Sequence, residues 1–208
     1  MSSRPVSGRL RRERLPGAPV AVPPTRMTAD ELLAYHDPSD RRVELVRGWL
    51  VVAEPPGFEH GRVVAAIAFA LEVHLARQAE ATGMRPGDVA TNDPGCWIER
   101  DPDTVRAPDV AYVAAERLPS RPLHRYLEAA PTIAVEVLSP GDRPRAVREK
   151  VAAWLRAGSA LVWVVDPERR TARVHRADGS VAVLDAHGAL EGDGVLPGFT
   201  LPLARVFR

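Results

Sequence analysis

Glu136 is the single ionisable residue in the apolar run from Thr132 to Leu138, and Lys150 is the only lysine in the chain. Every other basic residue among the 28 Lys+Arg is arginine. A carboxylate inside an apolar strand is costly unless it is paired or holds a cation. The stretch PTIAVEVLSPGDRPRAVREKVAAWLRAG reads as strand, turn and helix, with Glu136 on the strand and Lys150 on the helix. Asp109 stands at the start of a second candidate strand, Ala107 to Val113. Two adjacent carboxylates repel unless a cation sits between them. Hard oxygen ligands from a strand pair suit Mg²⁺ or Mn²⁺, with the carbonyl of Val137 as a third ligand. An amine on the next helix can orient an attacking water or offset charge on a phosphorane-like transition state. A plain buried ion pair of Glu136 with Lys150 or an arginine accounts for the same pattern, and spacing alone leaves both open.

The elements that must position these groups follow from periodicity. Thr28 with Glu31 three residues on is a capping box for a short helix, TADELLAYH, stopped by Pro38. RRVELVRGWLVVAEPP reads as a β-hairpin turning at Arg47-Gly48. From Glu59 to Ala81, Val63, Ile67, Ala70, Leu71, His74 and Leu75 form one apolar helical stripe, closed by Thr82-Gly83. Strands follow at Asp88 to Asn92 and Gly95 to Glu99, then a loop at Asp101-Pro102-Asp103 and a proline-rich crossover through RLPSRPLHRY. Thr132 to Leu138 is apolar on both faces, as in the middle of a sheet. The next helix, about Arg143 to Ala157 with Gly158 as its cap, places Lys150 beside Val147 and Trp154 at the margin of the buried face. Ala160 to Val165 is another apolar strand, and short strands and turns fill the last forty residues.

At 208 residues and 45% apolar content, the chain suits one globular domain, residues 27–208, behind an Arg/Pro-rich arm, residues 1–26, that reads as disordered. That arm holds six arginines against Glu13, a charge of +5 within an overall +1, so the remainder carries −4. Whole-body charge therefore does not favour nucleic acid; a basic arm or a local groove must supply any such attraction. No apolar run approaches the ~20 residues of a membrane span, and APVAVPP is too short and proline-broken for a signal-peptide core. The lone cysteine, Cys96, makes no internal disulfide, which points to a reduced cytoplasmic compartment.

The order VELVRGWLVVAEPPGFEHGRVV, APDVAYV, IAVEVLSP and REKVAAWLRAGSALVWVVDP resembles the bacterial Uma-two family of the PD-(D/E)XK nuclease superfamily, from about Met27 to the C-terminus. The resemblance implies a restriction-endonuclease-like α/β fold: a mixed central β-sheet flanked by helices, with an N-terminal hairpin and a β-rich C-terminal extension. It implies metal-dependent hydrolysis of DNA phosphodiester bonds, with Asp109 and Glu136 as metal ligands. Glu44 would complete the metal shell, Lys150 would assist the attacking water, and His60 would contact phosphate or shuttle a proton. The superfamily lysine would stand at Leu138; its role passes to Lys150 on the next helix. Cleavage of both strands of a duplex favours a homodimer. Two departures stand out. Ala146 occupies the place of an aspartate one turn before the lysine, and Trp154 that of a tyrosine. Ala146 motivates a rival reading, a catalytically silent nucleic-acid-binding module on the same fold; a second rival is a protein-interaction module in which Glu136 and Lys150 are only a buried ion pair.

The remaining candidates have plainer readings. Glu44 reads as a partner for Arg42, and His60 as a structural residue at a helix start. His74 reads as a satisfied core histidine and Cys96 as a packing residue. Ser139 reads as a helix-entry residue with no His/Asp arrangement following it in sequence. The four tryptophans read as core or edge residues.

Overall fold

The computed structural model describes residues 26–37, 41–120 and 124–208. Apart from Arg26, the arm expected at residues 1–26 lies outside these, as do Pro38 and part of the proline-rich crossover. Helix α1 spans Ala29–Ala34, and its capping box is complete: Thr28 Oγ1 accepts from the Glu31 N–H, and Glu31 Oε2 accepts from the Thr28 N–H at 2.7 Å. The chain turns extended at Tyr35, so the helix is shorter than the TADELLAYH pattern suggests.

Strands β1 (Arg42–Val46) and β2 (Trp49–Ala53) form the expected hairpin. Arg47 and Gly48 both have positive φ, as a two-residue turn matched to the strand twist requires. A Cβ on Gly48 would also sit 2.8 Å from the Arg26 Cβ. The hairpin belongs to a four-stranded sheet, ordered β2-β1-β5-β4, with β4 at Cys96–Glu99 and β5 at Thr104–Arg106. Strand β5 carries no sequence signal, because the three residues Thr-Val-Arg show no visible alternation. Leu45, Leu50 and Val105 bury with Ala29 and Leu32 of α1 as a small core of their own.

The main sheet has six strands in the order β10-β9-β8-β7-β6-β3. They are β3 (Gly87–Thr91), β6 (Val110–Ala114), β7 (Ile133–Val137), β8 (Leu161–Asp166), β9 (Thr171–Arg176) and β10 (Val181–Leu184). Only β7 and β8 run parallel, joined through α3 (Pro144–Arg156), so the sheet is mixed. Helix α2 (Phe58–Thr82) repeats apolar residues every four positions at Val63, Ile67, Leu71 and Leu75, all buried, and stops at Gly83 with φ 75°.

The two-residue period of β7 divides its side chains between two layers. Ile133, Val135 and Val137 pack with α2, while Ala134 packs with Val151 and Trp154 of α3. Glu136 has the parity of Ala134 and so faces α3. Val162 and Val164 of β8 share that layer, and Trp163 points the other way to stack on Phe199 at 5.7 Å. Helix α3 ends at Arg156 with Ala157 as its C-cap, one residue before the expected cap, and Gly158 follows at φ 99°. The small sheet of β11 (Ala189–Glu191) and β12 (Thr200–Pro202), with helix α4 (Leu203–Val206), closes the α2-side core. His74 departs from expectation. Its ring stands edge-on to Phe199, and its Nε2 has no hydrogen-bond partner among the described residues. Among those residues no helix is long and apolar enough to cross a membrane.

Candidate active site

Asp109 lies just before β6, where the ladder with β7 begins. Its N–H donates to the Val135 carbonyl at 3.0 Å, and its Oδ2 accepts from the Val137 N–H at 2.7 Å. The carboxylate thus takes the place of a strand partner at the end of β7, and backbone geometry holds it. Its Oδ1 meets His60 Nε2 at 3.1 Å and Arg42 at 3.4 Å. His60 comes from the first turn of α2, and its Nδ1 lies 3.4 Å from Ser139 Oγ. The run Ser139, His60, Asp109 is therefore contiguous in space although scattered in sequence.

Lys150 reaches from α3 into the same place. An ammonium has three N–H donors. Here they meet Glu136 Oε2 at 2.8 Å, Glu44 Oε1 at 3.1 Å and the Ala107 carbonyl at 3.1 Å. Glu136 Oε1 accepts from Trp154 Nε1 at 2.7 Å. Glu44 also accepts from the Ala107 N–H and from Arg106 at 2.9 Å. Leu45 points into the small core, so period two turns both Arg42 and Glu44 to the opposite face of β1 and into the cleft. Glu44 does not pair with Arg42, as the hairpin suggested; Arg42 instead meets Asp93 and Asp109. Glu44, His60, Asp109, Glu136, Val137, Ala146 and Lys150 all line one cleft of about 660 Å³.

The charges explain how the acids differ. Burial works against the Glu44 carboxylate, but Lys150, Arg106 and the Ala107 N–H outweigh it and hold its pKa below the usual range. Burial likewise opposes Asp109, and His60, Lys150 and the Val137 N–H hold it low. Glu136 goes the other way. Burial pushes it up to about 7, with Asp109 and Glu44 adding repulsion that Lys150 only partly offsets. Burial alone would lower Lys150, yet Glu136, Glu44 and Asp109 together raise it, so it stays charged. Cys96 sits fully buried near these acids; burial and the fields of Glu136 and Glu44 push its thiol up to about 12, which leaves it an inert packing residue.

Five residues singled out from sequence meet here: Glu44, His60, Asp109, Glu136 and Lys150. Four others were missed as participants. Arg42 lies two residues from Glu44 on one strand face, and Trp154 lies one turn after Lys150, so both had a local signal. Arg106 stands three residues before Asp109 and Ser139 three after Glu136, but their partners Glu44 and His60 come near only in the tertiary fold.

Among the described residues, no three His, Cys, Asp or Glu side chains converge as a ready metal-ligand set. The donor chemistry nevertheless fits a hard divalent cation. Every carboxylate is an oxygen donor, and Glu44, Asp109 and Glu136 all line the same cleft.

A mixed sheet flanked by helices, with an acid at the head of one strand, an acid within the next and a lysine on the following helix, defines a restriction-endonuclease-like α/β protein. The chain belongs to the Uma2 family, described as "Putative restriction endonuclease", whose profile matches residues 29–204. It is also similar to a crystal structure described as a putative nuclease belonging to DUF820, from Anabaena variabilis ATCC 29413. That likeness has 19% sequence identity and a TM-score of 0.72, and covers 87% of this chain and 97% of the other. At that identity the likeness speaks to the fold. No curated protein matches the sequence.

Proposed function

We propose that the protein is a metal-dependent endonuclease that hydrolyses DNA phosphodiester bonds, acting in the cytoplasm as a homodimer. The observation that carries this is the gathering of Asp109, Glu136, Glu44 and Lys150 in one cleft, with one of the three acids raised to about 7 and the other two held low. Asp109, Glu136 and Glu44, with the Val137 carbonyl, would hold Mg²⁺ or Mn²⁺. The bound ion would supply Lewis-acid polarisation of the phosphate and a more acidic water.

The chain's own groups do the rest. Lys150 gives up one of its three bonds to orient the attacking water or to meet charge growing on phosphorus. With His60 Nε2 on Asp109, its Nδ1, 3.4 Å from Ser139 Oγ, is the ring atom that would contact the phosphate or shuttle a proton. Arg42 and Arg106 line the cleft and offer fixed positive charge beside the scissile phosphate.

A second reading, a silent binding or interaction module, draws on one specific observation. All three donors of Lys150 already have protein acceptors, and position 146, one turn before it, is Ala where the family resemblance expects an aspartate. Incubation of plasmid with the protein and Mg²⁺ or Mn²⁺ separates the two. The nuclease reading expects nicking that falls at least ~100-fold in Asp109→Ala, in line with the loss of an electrostatic catalytic group. Equal nicking by both proteins removes it.

A further inference from the structure

Helix α3 grips the Glu136 carboxylate at both oxygens. Lys150 Nζ meets Oε2 at 2.8 Å, and Trp154 Nε1 donates to Oε1 at 2.7 Å. Positions 150 and 154 stack one turn apart on the same helix face. The two grips differ in stiffness. Lys150 sits on a flexible four-carbon stem and divides its donors among three acceptors. Trp154 is wholly buried among Ala134, Val151, Val162 and Val164, and its indole has only two side-chain torsions to lose.

The same protein contains its own control. Trp163 is equally buried in the other layer, and its Nε1 has no hydrogen-bond partner among the described residues. The fold thus tolerates a tryptophan as pure packing, yet in the α3 layer it aims the indole N–H at an acid in a short, charge-assisted bond. With Oε1 held by a rigid ring, Oε2 is turned to Lys150, and Glu136 and Lys150 both line the cleft.

We propose that Trp154 is a positioning residue: its indole N–H sets the Glu136 carboxylate so that the second oxygen is presented to a divalent cation in the cleft. This rests on the reading of Glu136 as a metal ligand. Partners of this kind, one step removed from the metal, typically change affinity about 10- to 100-fold when lost.

The test uses the full chain and two readouts other than nuclease activity. Calorimetric titration with Mn²⁺ is expected to show at least ~10-fold weaker binding in Trp154→Phe, which removes the donor and keeps a ring. Trp154→Tyr, which restores a polar hydrogen at the ring tip, is expected to regain most of the loss. Mn²⁺ binding in Trp154→Phe at the wild-type affinity, or no gain in Trp154→Tyr, would overturn the proposal. In ¹⁵N-labelled wild type, the Trp154 indole signal is expected to shift on adding Mg²⁺ and to move upfield in Glu136→Gln, while that of Trp163 stays in place. This readout decides the matter even if the Phe variant does not fold, and a Trp154 signal indifferent to both changes also overturns the proposal. Failure of the wild type to take up either ion brings down the metal reading itself. That outcome is distinct from a wild type that binds Mn²⁺ with no help from Trp154.

Discussion

At Glu136 the protein holds a carboxylate where burial and two neighbouring acids resist its ionisation. Its pKa stands at about 7, above the ordinary value of 4.5 that it regains on unfolding. Between those values the folded state binds the extra proton, so stability falls as pH rises through the window. The penalty is complete above about 7 and absent below about 4.5, and amounts to on the order of 3 kcal/mol. Glu44 and Asp109 have lowered values, so their contribution has the opposite sign and is lost only as pH falls through their folded pKa values, below this window. Glu136→Gln removes the titrating group. Melting curves from pH 4.5 to 7.5 should therefore show the wild type losing ground steadily against Glu136→Gln. A difference between the two that stays flat with pH would show that Glu136 ionises as an ordinary glutamate.

Between elements, Lys150 acts as a staple. Through it α3 is tied to Glu44 on β1 of the smaller sheet, to Glu136 on β7 of the main sheet, and to the Ala107 carbonyl between β5 and β6. Removing one member of a buried ion pair strands the other, typically at about 3–5 kcal/mol. Lys150→Met should therefore cost about that much in chemical denaturation, and adding Glu136→Gln should return part of it, because no stranded charge then remains at that point. Strictly additive losses would mean the two side chains do not act as a pair. The same three links show what was legible in the sequence and what was not. Glu136 and Lys150 stood out by rarity, one the only acid in an apolar strand and the other the only lysine. Asp109 was readable as the head of a neighbouring strand, and α2 and α3 by their periods. Arg106 and the Ala107 carbonyl were not readable, because their roles depend on β5, a three-residue strand recognisable only once it pairs with β1 and β4. Trp154 was legible as apolar bulk but not as a donor, since a sequence does not show where an indole N–H will point.

For the whole molecule, the question is what would draw a polyanion to this cleft. Its cations already have carboxylate partners: Lys150 with Glu44 and Glu136, Arg106 with Glu44, and Arg42 with Asp93 and Asp109. The chain from residue 27 onward carries a net −4, while residues 1–26 carry +5. If DNA is the substrate, long-range attraction must come from arginines outside this cleft, and those near the N-terminus form the densest group. The cleft then contributes chemistry rather than affinity. Each phosphate neutralised adds about 0.9 to the slope of log affinity against log salt on duplex DNA. A protein lacking residues 1–25 loses five arginines and one glutamate. It should bind DNA more weakly at low salt and show a slope shallower by about 2 to 4, with binding measured by fluorescence anisotropy between 50 and 200 mM salt. Cleavage at saturating DNA should change far less than affinity, because Asp109, Glu136 and Lys150 are untouched. An unchanged slope would place the phosphate contacts on the domain itself. A shallower slope with cleavage at saturating DNA lost in proportion would make the arginines part of the chemistry rather than of capture.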